Sequence, residues 1–340
     1  MDNLFLNPFV VSFLLAVVFL FGIIKIVKVQ HFSEKNKRTS LRHLHQQGIT
    51  RFGGVAIILA FVVTLLADSN LIISRQLLGV LLACGAILLV GLRDDFWELA
   101  WQKQLLFQFA LASFVFALGI RLEYLTNPLG GVFFLNGNAG TILNFLIVVV
   151  WILLIINAMN WADGIDGVSG GISVIGALAI FLVSLRPEVN QPPVAIIAMA
   201  LLGALLAFVF FNFNPAKILA GTSGSVFMGF MLAMLALFAG AKIATTLLVL
   251  AVPVLDALWV IAERYKAGAS VFSPDQRHLH HRLLALGWSQ RKICFFYWAV
   301  TALIAFLALN TRVFGKITLF GVVLLAMLAG YFFIRKKQSI

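Results

Sequence analysis

The most distinctive stretch of the chain is a repeated pattern of amide and carboxylate side chains that follows an apolar run. Asn160, Asp163 and Asp166 recur at every third position, so on a helical turn their side chains would share one side. Glycines are interleaved with and follow them, at Gly164, Gly167, Gly170 and Gly171. Glycine lets the backbone approach a ligand or adopt positive φ. A plain polar turn needs no such repetition, so the pattern predicts a binding or catalytic site.

Other aspartates stand at the ends of apolar runs. Asp94 and Asp95 end the third run, Asp256 lies late in the ninth, and Asp275 lies in the loop after it. Acidic residues at or within a membrane are expensive and are functional candidates by default. Crowded carboxylates repel one another, and a divalent cation commonly relieves that repulsion. For the pair Asp94–Asp95 alone, two solvated acids capping a loop would explain the pattern equally well.

Two further segments could bind anions. Gly221-Thr-Ser-Gly-Ser225 opens an apolar run, and a helix N-terminus of this kind suits a phosphate, although Gly and Ser also mediate helix packing in membranes. The loop after the ninth run holds His278, His280 and His281 between Arg277 and Arg282. Zinc ligation would require Cys or Glu at suitable spacing. A diphosphate site fits the cluster better, whereas a merely basic loop would explain only the arginines.

The composition places these segments in a membrane protein. Of the 340 residues, 62% are hydrophobic and 11% charged, and the mean hydropathy is +1.03, which excludes an ordinary soluble domain and a disordered chain. The two cysteines lie in apolar stretches, so neither a disulfide framework nor a zinc cluster is expected. We expect a single all-α, polytopic transmembrane domain over residues 1–340.

Eleven apolar runs are candidate transmembrane helices. They cover residues 8–29, 52–67, 76–92, 105–120, 142–157, 171–185, 193–211, 224–240, 243–261, 295–310 and 315–334. The first run lacks a small-residue cleavage site and is interpreted as a retained span. With the N-terminus outside and the C-terminus cytoplasmic, 19 of the 25 Lys and Arg residues fall on the cytoplasmic side, as the positive-inside rule requires. The net charge of +12 then reflects topology and contact with anionic membrane lipid, not nucleic acid.

This topology predicts five cytoplasmic loops, at about 30–51, 93–104, 158–170, 212–223 and 262–294. The six aspartates named above all fall at or near the cytoplasmic face, although basic residues alone set the orientation. We therefore expect the polar segments to meet in one site at that face.

The motifs resemble those of the bacterial polyprenyl-phosphate N-acetylhexosamine-1-phosphate transferases over most of the chain. The matching segments come in the family's order: Arg42, His45 and Arg51-Phe-Gly-Gly54; Asp94-Asp95 with Leu99 and Gln108; Asn157 to Gly171; Asn214 and Lys217 leading to Gly221 and Ser225; and Pro253-x-x-Asp256, Arg264, Gly268, Phe272, Pro274-Asp275 and His278-Leu-His-His281. The last segment resembles the branch that uses simple UDP-linked amino sugars more than the branch that uses a pentapeptide-bearing substrate.

The chain departs from the family pattern at three places. Thr222 replaces an aspartate thought to help bind Mg²⁺, and a hydroxyl is a poorer ligand for that ion than a carboxylate. Gly48 and Thr50 replace prolines before Arg51, which loosens that loop. Gln104, beside Lys103, stands where a lysine is expected.

The resemblance implies a reaction in which undecaprenyl phosphate, or another polyprenyl phosphate, attacks the β-phosphorus of a UDP-N-acetylhexosamine. The products would be polyprenyl-diphosphate-sugar and UMP, in the first membrane step of O-antigen, lipopolysaccharide or another wall glycan. The site would lie on the cytoplasmic face of the bacterial inner membrane, with Mg²⁺ or Mn²⁺ as cofactor, and a homodimer is a family expectation.

The roles implied by the resemblance are as follows. Catalysis would involve Asp94, Asp95, Asp163 and Asp166, and the metal would be held by Asp95, Asp163 and Asp166. Substrates would be bound by Arg42, His45, Arg51, Asn157, Asn160, Asn214, Lys217, Ser225, Arg264, His278, His280, His281 and Arg282. Two alternatives remain: a substrate-binding relative of low activity, motivated by Thr222, and a transporter, which would be expected to show repeats and midplane ion sites.

Overall fold

The computed structural model describes residues 2–29, 49–122, 124–127, 131–239, 243–270 and 276–338. Three predicted residues, Arg42, His45 and Asp275, lie outside the described residues. Most of the first predicted loop, residues 30–48, lies outside them as well.

The described chain is a bundle of helices with one short β-hairpin. The elements are α1 Asp2–Val29, α2 Gly53–Ala67, α3 Arg75–Trp97, α4 Trp101–Ala117, β1 Tyr124–Thr126, β2 Val132–Phe134, α5 Gly137–Ala162, α6 Val168–Ser184, α7 Pro192–Asn212, α8 Gly221–Phe238, α9 Ile243–Val249, α10 Ala251–Lys266, α11 Leu279–Ala285, α12 Gln290–Asn310 and α13 Val313–Gln338. The strands pair antiparallel, with Leu125 opposite Phe133. Every apolar run predicted from the sequence overlaps a helix or a helix pair, whereas the hairpin and α11 were not predicted.

Seven helices in the described residues, α1, α3, α5, α7, α8, α12 and α13, are long and apolar enough to cross a membrane. The pair α9 and α10 would make an eighth, but it bends by 78°. Helices α2 and α6 are apolar but shorter. The chain is thus a multi-pass membrane protein, while the count of eleven spans and the orientation of the termini stay predictions.

The ninth predicted span is broken, and Pro253 explains where. Helix α9 ends at Val249 and α10 begins at Ala251, so Pro253 is the third residue of the new helix. Proline has no N–H, and its ring would clash with the carbonyl four residues earlier in a continuous helix. In the first turn of a new helix that N–H is not needed. Hydropathy measures composition and therefore could not detect this break.

Helix α8 forms the centre of the bundle, and every residue from 223 to 237 in it is buried. A helix that is apolar on all sides belongs inside a structure, and α8 contacts α2, α3, α5, α6 and α7. Helices α1 and α13 contain few buried residues, and side chains such as Phe21, Phe332 and Phe333 lie on the surface. These outer faces suit contact with lipid.

Glycines allow α2 and α3 to approach the start of α8 closely. A Cβ on Gly91 would lie 2.4 Å from the Cα of Ser223, and a Cβ on Gly54 would lie 2.2 Å from the amide nitrogen of Gly224. The Gly54 N–H also donates to the Ala220 carbonyl at 2.9 Å. Small residues allow this kind of close backbone packing between membrane helices. The contact brings the end of α3 to the first turn of α8.

Replacing Gly91 by alanine is therefore expected to destabilise the bundle, whereas the same change at Gly85 of α3 is not. A Cβ at Gly85 would meet nothing within 4 Å, and alanine is the better helix former. We expect Gly91→Ala to lower the free energy of unfolding by about 1–3 kcal/mol, the usual cost of overpacking. Thermal unfolding of the detergent-solubilised variants measures the difference. Equal melting temperatures for the two variants would contradict the close contact between α3 and α8 at Gly91.

Candidate active site

The first turn of α8 binds the two carboxylates at the end of α3. Asp95 accepts hydrogen bonds from the Thr222 N–H at 2.7 Å and from the Ser223 N–H and hydroxyl at 3.3 and 3.1 Å. Free N–H groups and the positive end of the helix dipole favour a carboxylate at this position. The positive φ of Gly221, +69°, and the absence of a Cβ, which would lie 2.6 Å from Asp95 Oδ2, make this approach possible. Asp95 is 9% exposed.

Asp94 connects α8 with the turn between α3 and α4. Its Oδ2 accepts from the Thr222 hydroxyl at 2.6 Å, and its Oδ1 accepts from the Leu99 N–H at 2.6 Å and from Gln104 Nε2 at 2.9 Å. Thr222 and Gln104, two of the departures from the family pattern, are thus both hydrogen-bond donors to the same carboxylate. Both carboxylates accept hydrogen bonds from protein groups, so Asp94 and Asp95 are not solvated acids that cap a loop.

The amides of α5 extend the site towards α4 and α8. Asn160 Oδ1 accepts from the Ser225 hydroxyl at 2.7 Å, and Asn157 Nδ2 donates to Gln108 Oε1 at 2.6 Å. Helix α5 ends at Ala162, before Asp163 and Asp166. Asn160 and these two aspartates therefore do not lie along one side of a continuous helix. The sequence pattern therefore identified the segment but not the directions of its last two carboxylates.

Asp163 and Asp166 support the turn between α5 and α6. Asp163 accepts from the Ser169 hydroxyl. Asp166 Oδ2 accepts from Asn214 Nδ2 at 2.9 Å and from the Ala216 N–H at 3.1 Å. Gly167 precedes the first residue of α6 and has a φ of +79°, a left-handed conformation that glycine adopts without strain. These bonds attach the turn to the segment between α7 and α8.

A carboxylate to which the sequence assigned no role, Asp256 of α10, holds the histidine segment. Its side chain is 3% exposed and accepts from His278 Nδ1 at 2.8 Å, from the Leu279 N–H at 2.8 Å and from the Tyr331 hydroxyl. The sequence signals were an acid within a membrane-spanning segment and the match of Pro253-x-x-Asp256 to the family pattern, neither of which gave it a role. Its three partners follow it by 22 to 75 residues, so spacing could not reveal them.

His280 contacts the turn that contains Asp163 and Asp166. The residue is 1% exposed, and a Cβ on Gly164 would lie 2.4 Å from its Nε2. Neither ring nitrogen makes a hydrogen bond within the described residues. Its ring lies parallel to that of His278, with centroids 5.7 Å apart. Burial, and then the neighbouring His281, lower the pKa of His280 to about 3, so the imidazole is neutral at pH 7.

The predicted cationic groups have different environments. Arg264 is buried, with its guanidinium 5.6 Å from the centre of the Trp161 ring, and Lys217 is exposed. The Arg51 carbonyl adjoins Gly221. Arg282 forms an ion pair with Glu263, donates to the Arg277 carbonyl at 2.6 Å and lies over the Tyr331 ring. These contacts give Arg282 a structural role, so its assignment to the diphosphate gains no support.

The structure does not gather the three carboxylates predicted to hold a metal. Within the described ranges, no group of three His, Cys, Asp or Glu side chains could hold a metal ion. Asp95 is bonded to α8, Asp163 to Ser169, and Asp166 to Asn214 and Ala216. The donor set in this arrangement does not fit Mg²⁺, and the cofactor stays a prediction.

The remaining segments nevertheless meet at one end of the bundle. The end of α3 contacts the start of α8, α8 contacts α5 through Asn160, and the turn after α5 contacts His280. Carboxylates, a neutral imidazole and a buried arginine therefore lie in one neighbourhood. Such a set can bind anionic groups and accept or donate protons.

Comparison with known proteins identifies a matching family model and several relatives. Residues 77–240 match the family model described as glycosyl transferase family 4. The chain is 35% identical over 309 residues to decaprenyl-phosphate N-acetylglucosaminephosphotransferase of Mycobacterium tuberculosis (81% of this chain, 75% of that protein). It is 30% identical over 259 residues to a probable undecaprenyl-phosphate N-acetylglucosaminyl 1-phosphate transferase of Bacillus subtilis (74% and 70%). It is also 30% identical over 315 residues to phospho-N-acetylmuramoyl-pentapeptide-transferase of Lactobacillus gasseri (87% and 95%).

Identity of this extent, over two thirds or more of each relative, shows the family. The chain belongs to the polyprenyl-phosphate N-acetylglucosamine-1-phosphate transferases and is a phosphoglycosyltransferase.

Proposed function

We propose that this protein transfers an N-acetylhexosamine-1-phosphate from a UDP-sugar to a polyprenyl phosphate such as undecaprenyl phosphate. The products are polyprenyl-diphosphate-sugar and UMP, and the product starts a cell-envelope glycan such as O-antigen. The observation that carries the proposal is the convergence of the α3, α5, α8 and histidine segments at one end of an apolar bundle. The named activities of the relatives are of the same class.

The position of the site suits substrates of opposite solubility. The acceptor is a lipid, whereas the donor is water-soluble, so both can meet only where apolar helices end. The polar groups lie at the ends of α3, α5 and α10 and at the starts of α8 and α11. We assign this end to the cytoplasmic face of the inner membrane, because most Lys and Arg residues fall on that side of the expected topology.

The transfer is a displacement at phosphorus. An oxygen of the lipid phosphate forms a bond to the β-phosphorus of the donor, and the bond from that phosphorus to the bridging oxygen breaks, with UMP as the leaving group. Both reactants are anions, so positioning and charge stabilisation dominate catalysis. Asp94 and Asp95 would accept a hydrogen bond from a protonated oxygen of the lipid phosphate and so orient its other oxygens.

The groups assigned to the donor lie around the end of α5 and on the histidine segment. Asn160 and the Asp163–Asp166 turn would face the nucleotide end. His280 and His281 would donate to the diphosphate, and His278 would contact the diphosphate or the sugar through Nε2, with Arg264 as a nearby cation. The described carboxylates are not arranged around one point, so none of these roles depends on Mg²⁺ or Mn²⁺. A metal requirement is tested directly by assaying transfer after chelation and after readdition of each ion.

Asp94→Asn is expected to reduce transfer by about a hundredfold or more, the range seen when a proton-handling group is removed. Asparagine can keep its oxygen towards Leu99 and Gln104, and its amide can donate to the Thr222 hydroxyl, so the fold should persist. The measurement is lipid-linked label formed from a radiolabelled UDP-N-acetylhexosamine and undecaprenyl phosphate, together with UMP release. Asp163→Asn should lose activity likewise.

Asp68→Asn is the matched control. Asp68 caps the opposite end of α2, and its side chain accepts hydrogen bonds from Asn70. It should transfer at the wild-type rate. Wild-type rates for both Asp94→Asn and Asp163→Asn would remove these carboxylates from the mechanism. Offering several UDP-N-acetylhexosamines in the same assay identifies the preferred sugar.

Thr222 bears on a second candidate function, a family member that binds its substrates and turns over slowly. In the structure the Thr222 hydroxyl replaces a carboxylate expected from the family pattern and donates to Asp94 at 2.6 Å. That contact fits a working site in which a hydroxyl supports the aspartate pair. Thr222→Val keeps the side-chain shape but removes the donor, and Thr222→Ser restores it.

We expect Thr222→Val to lower the transfer rate by roughly ten- to hundredfold, since hydrogen bonds to charged groups are worth about 1.5–3 kcal/mol. Thr222→Ser should stay close to the wild type. The assay is the same lipid-labelling assay. If Thr222→Val is as active as the wild type while Thr222→Asp is much faster, the slow-turnover candidate is correct instead.

A further inference from the structure

Asp256 has no role in the proposed transfer step, and its two oxygens have separate partners. Oδ1 accepts from the Leu279 N–H at 2.8 Å and from the Tyr331 hydroxyl. Oδ2 accepts from His278 Nδ1, at 2.8 Å, and from no other group in the described part of the chain. One oxygen therefore connects α10 with α11 and α13, while the other faces a single imidazole.

The second contact determines the state of His278. A carboxylate has no hydrogen to donate, so the proton in this bond belongs to Nδ1. Nε2 is then the ring nitrogen left for a substrate. The ring plane is fixed as well, parallel to His280 at 5.7 Å and 5.7 Å from Trp161. A carboxylate behind an imidazole orients it and stabilises its cationic form.

Tyr331, which donates to Asp256, has packing contacts of its own. The Tyr331 ring is stacked on Trp259 with centroids 4.8 Å apart, and the Arg282 guanidinium lies 5.2 Å from its centre. Arg282 is also paired with Glu263 on α10. Helix α13, which has few buried residues, thus contributes the buried Tyr331 hydroxyl to the contacts around Asp256.

We propose that Asp256 is a positioning residue for sugar-phosphate transfer: it acts through His278, by holding the proton on Nδ1 and presenting Nε2 to the donor substrate. The proposal rests on the proposed function, in which His278 contacts that substrate. Tyr331 and Leu279 stabilise Asp256, but they do not determine which ring nitrogen of His278 carries the proton.

The substitution Asp256→Asn tests the contact with His278 separately from the contacts of the other oxygen. With its oxygen in the Oδ1 position, asparagine still accepts from Leu279 and Tyr331, and only the atom facing His278 changes. The amide then donates to Nδ1 and moves the imidazole proton to Nε2. Tyr331→Phe is the matched control, since it removes one bond to Oδ1 and leaves the bond to His278 intact.

The experiment is a double-mutant cycle on transfer kinetics with Asp256→Asn, His278→Ala and the double variant. We expect each single variant to lose at least tenfold in kcat/KM for the UDP-sugar, with KM for the polyprenyl phosphate unchanged. The double variant should lose no more than about threefold beyond the larger single loss. Tyr331→Phe should cost about threefold or less, and the melting temperature of Asp256→Asn should stay close to that of the wild type.

Other results overturn the proposal. Additive losses, a wild-type rate for either single variant, or equal losses for Tyr331→Phe and Asp256→Asn would make Asp256 a structural tie only. Unfolded Asp256→Asn beside folded His278→Ala would lead to the same conclusion. If the wild type itself transfers no sugar phosphate, the proposed function fails first. If the wild type transfers and Asp256→Asn does so equally well, only the positioning role fails.

Discussion

The rest of the site depends on the contact between the first turn of α8 and the last turn of α3. Two adjacent carboxylates repel each other, and burying them without donors costs several kcal/mol or more. Here the α8 N–H groups and two hydroxyls supply the donors. The same contact satisfies N–H groups that a helix leaves unbonded at its start. Glycines at positions 54, 91, 221 and 224 make it possible, because any side chain there would separate the helices.

The same principle recurs around the site. The Gly167 N–H at the start of α6 donates to Asn212, the Ala216 N–H donates to Asp166, and the Leu279 N–H at the start of α11 donates to Asp256. In an apolar environment, irregular backbone is tolerated where protein groups satisfy it. Polar side chains of this end therefore have a structural task in addition to the proposed chemical one. Because the polar residues serve both the fold and the proposed chemistry, many of them are concentrated at one end of a bundle that is otherwise apolar.

Much of this arrangement could be predicted from the sequence, and the failures have physical reasons. Hydropathy located every helix that forms a candidate span, because burial in lipid or protein needs apolar residues regardless of context. It missed the bend before Pro253, the hairpin and α11, which depend on local backbone geometry. Motif spacing identified the segments that meet, but not how side chains divide among partners. Arg282 illustrates this limit: its partner Glu263 lies 19 residues earlier, and no local pattern connects them.

His280 is the point at which the hydrogen-bond network of the site is incomplete. A buried polar atom without a partner costs about 1–3 kcal/mol, and both ring nitrogens of His280 lack one within the described residues. Gly164 makes room for the ring beside the carboxylate turn, so the cost arises from this packing contact. His280 and the aspartate pair are thus opposite cases at the same end of the bundle. The carboxylates of Asp94 and Asp95 are buried with hydrogen-bond donors, whereas the His280 ring is buried without a partner among the described residues.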